Sequence, residues 1–232
     1  MILNYDDIFL FQGDSITDGN RGRNNDPNHI LGHGFACMIA ARLGADNYMR
    51  QPVFINRGQS GDNIARMYAR WREDAILLNP TIINILIGIN DSCHSHPFDK
   101  DGKGVPEEQY ERMYRMLIQD TLDALPDVKL ILCEPFFLCP NTQDEVKRRH
   151  FEQVKTEVKH YQKVVRHLSQ EYGCLFVPFQ DMFDELVKHT KQEYLVWDGL
   201  HPTMIGHEFM TRRWIETVEA EIACVQAERE KM

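Results

Sequence analysis

The chain has 232 residues, of which 43% are hydrophobic and 26% are charged, and these proportions are ordinary for a soluble globular protein. This length favours one substantial hydrophobic core, so we predict a single domain over residues 1–232. The formal net charge of −9 argues against nucleic acid and anionic membrane surfaces as partners, because both select basic proteins. A neutral small-molecule substrate fits this charge better than a polyanion does.

The cellular location is predicted from the first residues and from the cysteines. Residues 1–7 carry no basic group, and the apolar run that follows them is too short for a signal peptide. The most apolar segment, Ile82–Ile89, is less than half as long as a membrane span. We therefore expect a cytoplasmic protein whose six cysteines are reduced thiols. A secreted protein with disulfide bonds is the alternative.

Hydrophobic patterns and turn residues divide the chain into alternating strands and helices. The predicted strands are a run from Ile8 that ends at Gly13, Val53–Ile55, Thr81–Ile87, Lys129–Cys133 and Leu175–Val177. The predicted helices are Phe35–Leu43 stopped by Gly44, one after Asp62 with that residue as its cap, Pro106–Leu125, Gln143–Tyr172, Asp181–His189 and Thr203–Arg229. Five strands that alternate with helices predict an α/β fold around a parallel sheet.

Polar loops that contain glycine follow the first three predicted strands. The first of these loops begins with Gly13, Asp14 and Ser15. Because ligands bind outside the carboxyl ends of the strands in an open α/β sheet, we expect Ser15 at the mouth of an active site. A serine in this position can act as a nucleophile if the chain also supplies a base and an oxyanion hole.

Asp198 and His201 are candidates for the base and its partner. They are three residues apart, so one imidazole nitrogen can meet the carboxylate while the other accepts the proton of Ser15. Taken alone, an aspartate and a histidine three residues apart more often have a structural role than a catalytic one, because this spacing is common. A triad is defined by geometry, so the order of its members along the chain is no obstacle.

Candidate oxyanion donors lie in the loops after the second and third strands. Gly61 offers a backbone N–H where a side chain would crowd the substrate, Asn90 offers its side-chain amide, and the N–H of Ser15 is a third donor. Each feature alone also has a structural interpretation as a helix cap, a strand-to-helix turn or an Asx turn. Their occurrence together, each in a loop expected near the strand ends, favours the catalytic interpretation.

The chain resembles the SGNH (GDSL) hydrolase family over essentially all of its residues. The blocks that carry the resemblance are Gly13-Asp14-Ser15, Asn56-x-Gly58-x-Ser60-Gly61, Gly88-x-Asn90-Asp91 and Asp198-Gly199-Leu200-His201-Pro202. The resemblance implies a flavodoxin-like three-layer α/β/α sandwich and catalysis without a cofactor. It also implies Ser15 as nucleophile, His201 as base, Asp198 as its partner, and Ser15, Gly61 and Asn90 as oxyanion donors.

Within that family, the Gly-Asp-Ser-Ile-Thr-Asp block, Trp197 immediately before Asp198, and the run Arg70–Asp74 resemble one subgroup. Its members are intracellular bacterial esterases that remove acetyl groups from xylose-based oligosaccharides. Relatives there often carry Val-Trp after Asn-Asp, where this chain has Ser92 and Cys93. Candidate substrate-binding residues are Asp14, Arg57 and Trp197. Trp197 either offers a face on which a sugar can stack or is an ordinary buried core residue.

The predicted function is a serine esterase that removes small acyl groups, above all O-acetyl groups, from carbohydrate through an acyl-enzyme on Ser15. The alternative is a lysophospholipase, thioesterase or arylesterase that uses the same site. A non-catalytic carbohydrate-binding protein is the third interpretation. Expected partners are a small-molecule ester, such as an acetylated oligosaccharide, and a second copy of the chain in a homo-oligomer; nucleic acid and membranes are not expected.

Two further groups of residues contain side chains typical of ligand sites. Cys93, His94 and His96 together with Asp91 contain metal-binding side chains, but their spacing matches no common zinc pattern, so no metal is predicted. Arg21 and Arg23 either hold a substrate carboxylate or tie their loop to acidic neighbours, and the second interpretation is favoured.

Overall fold

A parallel sheet lies at the centre of the molecule, which a computed structural model describes over residues 1, 3–92 and 104–229, with side chains up to residue 220. Its strands are β1 (Ile8–Gly13), β2 (Val53–Asn56), β3 (Ile82–Leu86), β4 (Lys129–Cys133) and β5 (Leu175–Val177). The strand order is β2-β1-β3-β4-β5, and every neighbouring pair is parallel. Because the chain moves from β1 to β2 on one side and later to β3 on the other, the carboxyl end of β1 borders the crevice where ligands bind in such sheets.

Helices cover both faces of the sheet and complete the predicted three-layer α/β/α sandwich. The helices are α1 (Ser15–Asp18), α2 (Phe35–Asp46), α3 (Ile64–Ala69), α4 (Trp71–Asp74), α5 (Glu107–Ala124), α6 (Glu145–Tyr172), α7 (Gln180–Leu186), α8 (Gln192–Leu195) and α9 (Met204–Arg229). Helices α2, α7 and α9 contribute to the core on one face, and α3, α5 and the second half of α6 to the core on the other.

The strands form because their side chains alternate between two hydrophobic cores. Phe9 and Phe11 point into the core beneath α2 and α9, whereas Leu10 between them points into the core beneath α5. All of β3 is buried, as expected for a central parallel strand that is covered on both faces. Burial on both sides therefore explains the nearly continuous apolar runs.

The strand predictions are confirmed, and Lys129–Cys133 and Leu175–Val177 agree with the observed bounds. The prediction that Gly44 ends its helix is wrong. Helix α2 continues to Asp46, and Asn47 ends it by directing its backbone N–H and its side-chain amide to the carbonyl of Leu43. The short helices α1 and α8 were not predicted, because a single turn shows no periodicity.

The prediction that Asp62 caps the following helix is also wrong. The cap of α3 is Asn63, whose side chain accepts a hydrogen bond from the backbone N–H of Arg66 at 3.0 Å. The carboxylate of Asp62 instead accepts a hydrogen bond from Nε of Arg70 at 2.7 Å. A charged partner therefore replaces the capping interaction.

The C-terminal helix α9 packs on the sheet through Trp214 and Val218, which are fully buried. The indole N–H of Trp214 donates to the side-chain oxygen of Asn84 in β3 at 2.8 Å, so a buried polar contact anchors the helix to a strand. The apolar residues Ile222 and Val225 follow at helical spacing in the sequence, but their side chains lie outside the described residues. No helix in the described part of the chain is long and apolar enough to cross a membrane.

Candidate active site

Ser15 is the first residue of helix α1 and follows β1 directly. The side chain of Asp14 caps this helix by accepting a hydrogen bond from the N–H of Ile16 at 2.9 Å. At Gly13 the φ angle is +155°, and a Cβ would lie 2.2 Å from the carbonyl oxygen of Leu86. Only glycine therefore allows β1 and β3 to approach closely enough to place Ser15 at the edge of the sheet.

Ser15, His201 and Asp198 form a continuous row of hydrogen bonds. Oγ of Ser15 lies 2.9 Å from Nε2 of His201, and Nδ1 of the same ring lies 2.6 Å from Oδ2 of Asp198. The other carboxylate oxygen of Asp198 accepts the backbone N–H groups of Leu200 and His201, at 2.9 and 2.7 Å. The carboxylate thus fixes both the loop and the orientation of the imidazole.

Hydrogen bonding determines the charge states of this pair. The hydrogen bond with Asp198 raises the pKa of His201 above its ordinary value, although burial of the ring acts in the opposite direction. Burial alone would raise the pKa of Asp198, but the hydrogen bonds from His201 and the two backbone amides outweigh it and lower that pKa. Asp198 is therefore ionised near neutral pH, and the neutral imidazole is a stronger base than a free histidine.

The three predicted oxyanion donors lie at the ends of three neighbouring strands. Ser15 follows β1, Gly61 lies in the loop after β2, and Asn90 belongs to a short 3₁₀ turn after β3. Gly61 has a φ angle of +81°, which favours glycine. The side-chain amide of Asn90 donates to the carbonyl oxygen of Asp62 at 3.0 Å, and this bond orients the amide beside the Gly61 loop.

A cavity of about 280 Å³ opens next to Ser15 and His201. Its remaining lining residues are mostly small or polar, with a few apolar groups among them: Ile16, Gly19, Asn20, His33, Ser60, Trp197, Pro202 and His207. The ring of Trp197 is 62% exposed and stacks on the ring of His201, with 6.2 Å between centroids and 21° between planes. Trp197 is thus a surface aromatic at the rim of the site, and the core interpretation is wrong.

The other two predicted substrate-binding residues do not line this cavity. The side chain of Asp14 is fully buried behind Ser15, so its predicted contact with substrate is wrong. Burial is the main cause that raises its pKa to about 7; the N–H of Ile16 and the charge of His201 oppose that rise, and Asp62 adds to it. Arg57 faces a second, neighbouring cavity instead.

Arg21 and Arg23 hold their loop to α1. Both terminal nitrogens of Arg23 donate to the two carboxylate oxygens of Asp18, at 3.0 and 2.8 Å. Nε of Arg21 donates to the carbonyl oxygen of Gly58 at 2.9 Å. Arg23 therefore ties its loop to an acidic neighbour as predicted, whereas the hydrogen bond of Arg21 goes to a backbone carbonyl and its Nε lies 3.9 Å from Asp18.

Sequence reasoning missed two supporting elements of the site. Arg70 donates to Asp62, Gln12 and Asp74, and so braces the end of β1 against the Gly61 loop. His207 lines the cavity and accepts the N–H of Phe35 through Nδ1 at 3.1 Å; burial lowers its pKa to about 4, so it is a neutral acceptor. The spacing of Arg70 from Asp74 is a helical ion-pair signal, whereas nothing in the sequence pointed to His207.

Cys93, His94 and His96, which have metal-binding side chains, lie outside the described residues. Asp91, which was grouped with them, accepts a hydrogen bond from the N–H of Ile64 at 2.9 Å. Within the described ranges, no three histidine, cysteine or acidic side chains are grouped so as to hold a metal ion.

A serine, a histidine and an aspartate joined by hydrogen bonds at the carboxyl edge of a parallel sheet are the arrangement of an α/β serine hydrolase. Residues 11–209 match the model of the GDSL-like Lipase/Acylhydrolase family, and the chain belongs to that family. It is accordingly a carboxylic-ester hydrolase.

Similar proteins include esterases of known structure. The chain is 34% identical to an acetylxylan esterase of Geobacillus stearothermophilus over 214 residues, which covers 90% of this chain and 92% of that one. The crystal structure of the acetylxylan esterase from this organism superimposes with a TM-score of 0.76 at 32% identity, covering 93% and 96% of the two chains. An α/β hydrolase from the metagenome of Lake Arreo, Spain, gives a TM-score of 0.79 at 27% identity, with the same coverage.

Proposed function

We propose that this protein is a serine esterase that removes O-acetyl groups from carbohydrate through an acetyl-enzyme on Ser15. The observation that carries the proposal is the hydrogen-bonded row from Oγ of Ser15 through His201 to Asp198. Such a row lets the histidine take the serine proton while the carboxylate stabilises the imidazolium that forms.

The reaction follows from the positions of these atoms. Oγ of Ser15 attacks the ester carbonyl as Nε2 of His201 takes its proton, and the tetrahedral intermediate places its oxyanion toward the N–H groups of Ser15 and Gly61 and the amide of Asn90. His201 then protonates the leaving alkoxide, which frees the sugar hydroxyl and leaves Ser15 acetylated. Water, activated by the same histidine, releases acetate and restores the serine.

The choice of an acetylated carbohydrate is supported by the relatives and by the cavity. The similar Geobacillus enzyme is an acetylxylan esterase, and catalytic mutants of it replace a serine, an aspartate and a histidine. The exposed face of Trp197 beside His201 offers the flat apolar surface on which a sugar ring can stack. Among the described residues, the cavity lining has no continuous apolar wall for a long acyl chain, which disfavours the lysophospholipase and thioesterase alternatives.

Acetate release from acetylated xylo-oligosaccharides tests the proposal, with acetyl and octanoyl p-nitrophenyl esters compared in parallel. We expect release from the sugars, preference for the acetyl over the octanoyl ester, and loss of at least about 10⁴-fold in kcat on Ser15→Ala. A faster octanoyl reaction would assign the enzyme to a lipid or thioester substrate. Full activity of Ser15→Ala would remove Ser15 from the mechanism.

Several expectations about the whole protein remain predictions. They are the single domain over residues 1–232, the cytoplasmic location and the formation of a homo-oligomer. Sedimentation of the purified protein measures the last of these directly.

A further inference from the structure

A second cavity, of about 420 Å³, lies beside the first, and three arginines are among its lining residues. Arg21 and Arg23 contribute from the loop after α1, and Arg57 contributes from the segment after β2. We call this space the arginine cavity. The whole chain carries a net charge of −9, so three guanidinium groups around one cavity run against the general charge of the protein.

The arginine cavity and the cavity at Ser15 are lined by residues that are adjacent in the chain. Asn20 and Ser60 line the Ser15 cavity, and the residues next to them in the chain, Arg21 and Gln59, line the arginine cavity. Neighbouring Cα atoms are about 3.8 Å apart, so a molecule of several sugar units can reach both spaces at once.

The acidic groups nearby neutralise only part of this positive charge. Asp18 pairs with Arg23 and lies 3.9 Å from Arg21, so one carboxylate serves two guanidinium groups. Asp74 is likewise shared, between Arg57 at 3.7 Å and Arg70 at 3.2 Å, and Arg70 also pairs with Asp62. Within this network, four guanidinium groups face three carboxylates, so one positive charge is in excess.

Arg57 is the guanidinium of this network that its acidic neighbours neutralise least. Its side chain is 38% exposed and makes no hydrogen bond with the described residues, since its contact with Asp74, at 3.7 Å, is longer than a hydrogen bond. A planar guanidinium with an unused donor is suited to bind a carboxylate through two parallel hydrogen bonds. A single excess charge also matches one carboxylate better than a phosphate, whose charge at neutral pH is between one and two.

We propose that the arginine cavity binds the carboxylate of an acidic sugar unit, a uronic acid, within the same acetylated carbohydrate whose ester reaches Ser15, with Arg57 as its main ligand. This inference rests on the proposed deacetylation of carbohydrate and narrows its substrate class. A uronic-acid branch would then position the acetylated sugar against Ser15 and lower KM.

The test compares acetylated xylo-oligosaccharides of equal length with and without a glucuronic acid branch. A charge-assisted hydrogen bond predicts a KM about tenfold lower for the acidic substrate. Arg57→Met should abolish this preference, and Arg57→Lys, which keeps the charge but loses the planar fork, should restore only part of it. Arg72→Met removes the same charge from an exposed position that lines neither cavity and should leave the preference unchanged.

Binding without turnover separates this inference from the proposed function. Calorimetry on Ser15→Ala should show tighter binding of xylotriose that carries a glucuronic acid branch than of plain xylotriose, whatever ester the enzyme cleaves. Equal affinities and equal KM values would overturn the arginine cavity as a uronate site even if acetate is released. Inorganic phosphate that competes more strongly than the acidic sugar would assign the cavity to a phosphate instead. Failure to release acetate from either substrate would contradict the proposed function alone.

Discussion

At the scale of single residues, burial and hydrogen bonding act in opposite directions on the side chains around Ser15. Asp198 is partly buried, yet it accepts one side-chain and two backbone hydrogen bonds, and these keep it ionised. The ionised carboxylate in turn raises the pKa of His201. A buried carboxyl with fewer donors, such as that of Asp14, shows the reverse effect and holds its proton to about pH 7.

The pH dependence of the rate follows from the shift at His201. The base must be neutral, so kcat/KM for an acetyl ester should fall as the pH drops through a midpoint above the ordinary histidine value of about 6.5. Asp198→Asn removes the main cause of the shift, so it should move the midpoint to lower pH and reduce kcat by about 10⁴-fold. The measurement is kcat/KM between pH 4 and 9.

Asp123→Asn is a matched control, because it removes one carboxylate from an exposed position on helix α5. It should change neither the midpoint nor kcat. A wild-type rate that stays constant down to pH 4 would contradict the role of His201 as base.

At the scale of secondary structure, the long helix α6 shows how the fold is stabilised around the site. Asp144 caps its first turn by accepting the N–H groups of Val146 and Lys147, and Gly173 ends it with a φ angle of +64°. Val165 and Leu168 on its inner face are fully buried, whereas its outer face is highly charged. Packing of this one face, more than intrinsic helix propensity, therefore holds the helix in place.

Truncation of the inner face should be costly. Leu168→Ala leaves a cavity in the core between α6 and the sheet, and we expect the free energy of unfolding to fall by about 2–5 kcal/mol. Val146→Ala removes a side chain of the same helix that is 77% exposed, and its effect should stay within about 0.5 kcal/mol. Urea unfolding of both variants measures the difference; equal effects would mean that α6 does not contribute its inner face to a tightly packed core.

At the scale of the whole molecule, the buried acidic groups behind the site couple folding to pH. Burial is the main cause that raises the pKa of Asp14 and of Asp91 in the folded protein. The charge of Asp62 raises both pKa values further, and that of Asp14 adds to the rise at Asp91. The unfolded chain releases the proton of Asp14 near pH 4, whereas the folded protein keeps it to about pH 7. Between these values the folded state binds more protons, so the contribution of Asp14 to the free energy of unfolding falls as the pH rises.

Asp14→Asn should remove the loss of stability that ionisation of the buried carboxyl causes at high pH. It should also preserve the helix cap, because asparagine also accepts the N–H of Ile16. We compare the free energy of unfolding of the variant with that of the wild type. The difference in favour of the variant should be about 2–3 kcal/mol larger at pH 8 than at pH 5. Urea unfolding at the two pH values gives the comparison. Asp18→Asn is a control of opposite sign, since hydrogen bonds from Arg23 and Ser60 outweigh burial and lower the pKa of Asp18; this variant should lose stability at pH 8.

Most of the sheet and the main residues of the site were predictable from local patterns. Apolar runs such as Ile82–Leu86 have no alternative to a buried strand, and the polar loops after them must then lie at the same edge of a parallel sheet. Helix ends were less predictable, because Gly44 and Asp62 each compete with a neighbour for the capping position. That competition depends on partners outside the cap itself: Arg70, eight residues along, binds Asp62, and the backbone N–H of the distant Leu3 donates to the side chain of Asn47.

The sequence by itself determined the parallel α/β architecture and the small set of side chains able to cleave an ester, because hydrophobic periodicity and residue chemistry are local properties. Only the tertiary structure decided that Asp14 is buried, that Trp197 is exposed beside His201, and that Arg57 faces a second cavity. Burial and net local charge depend on which distant segments meet. The local sequence around a charged or aromatic residue does not show whether that residue will lie in the core or at the rim of a site.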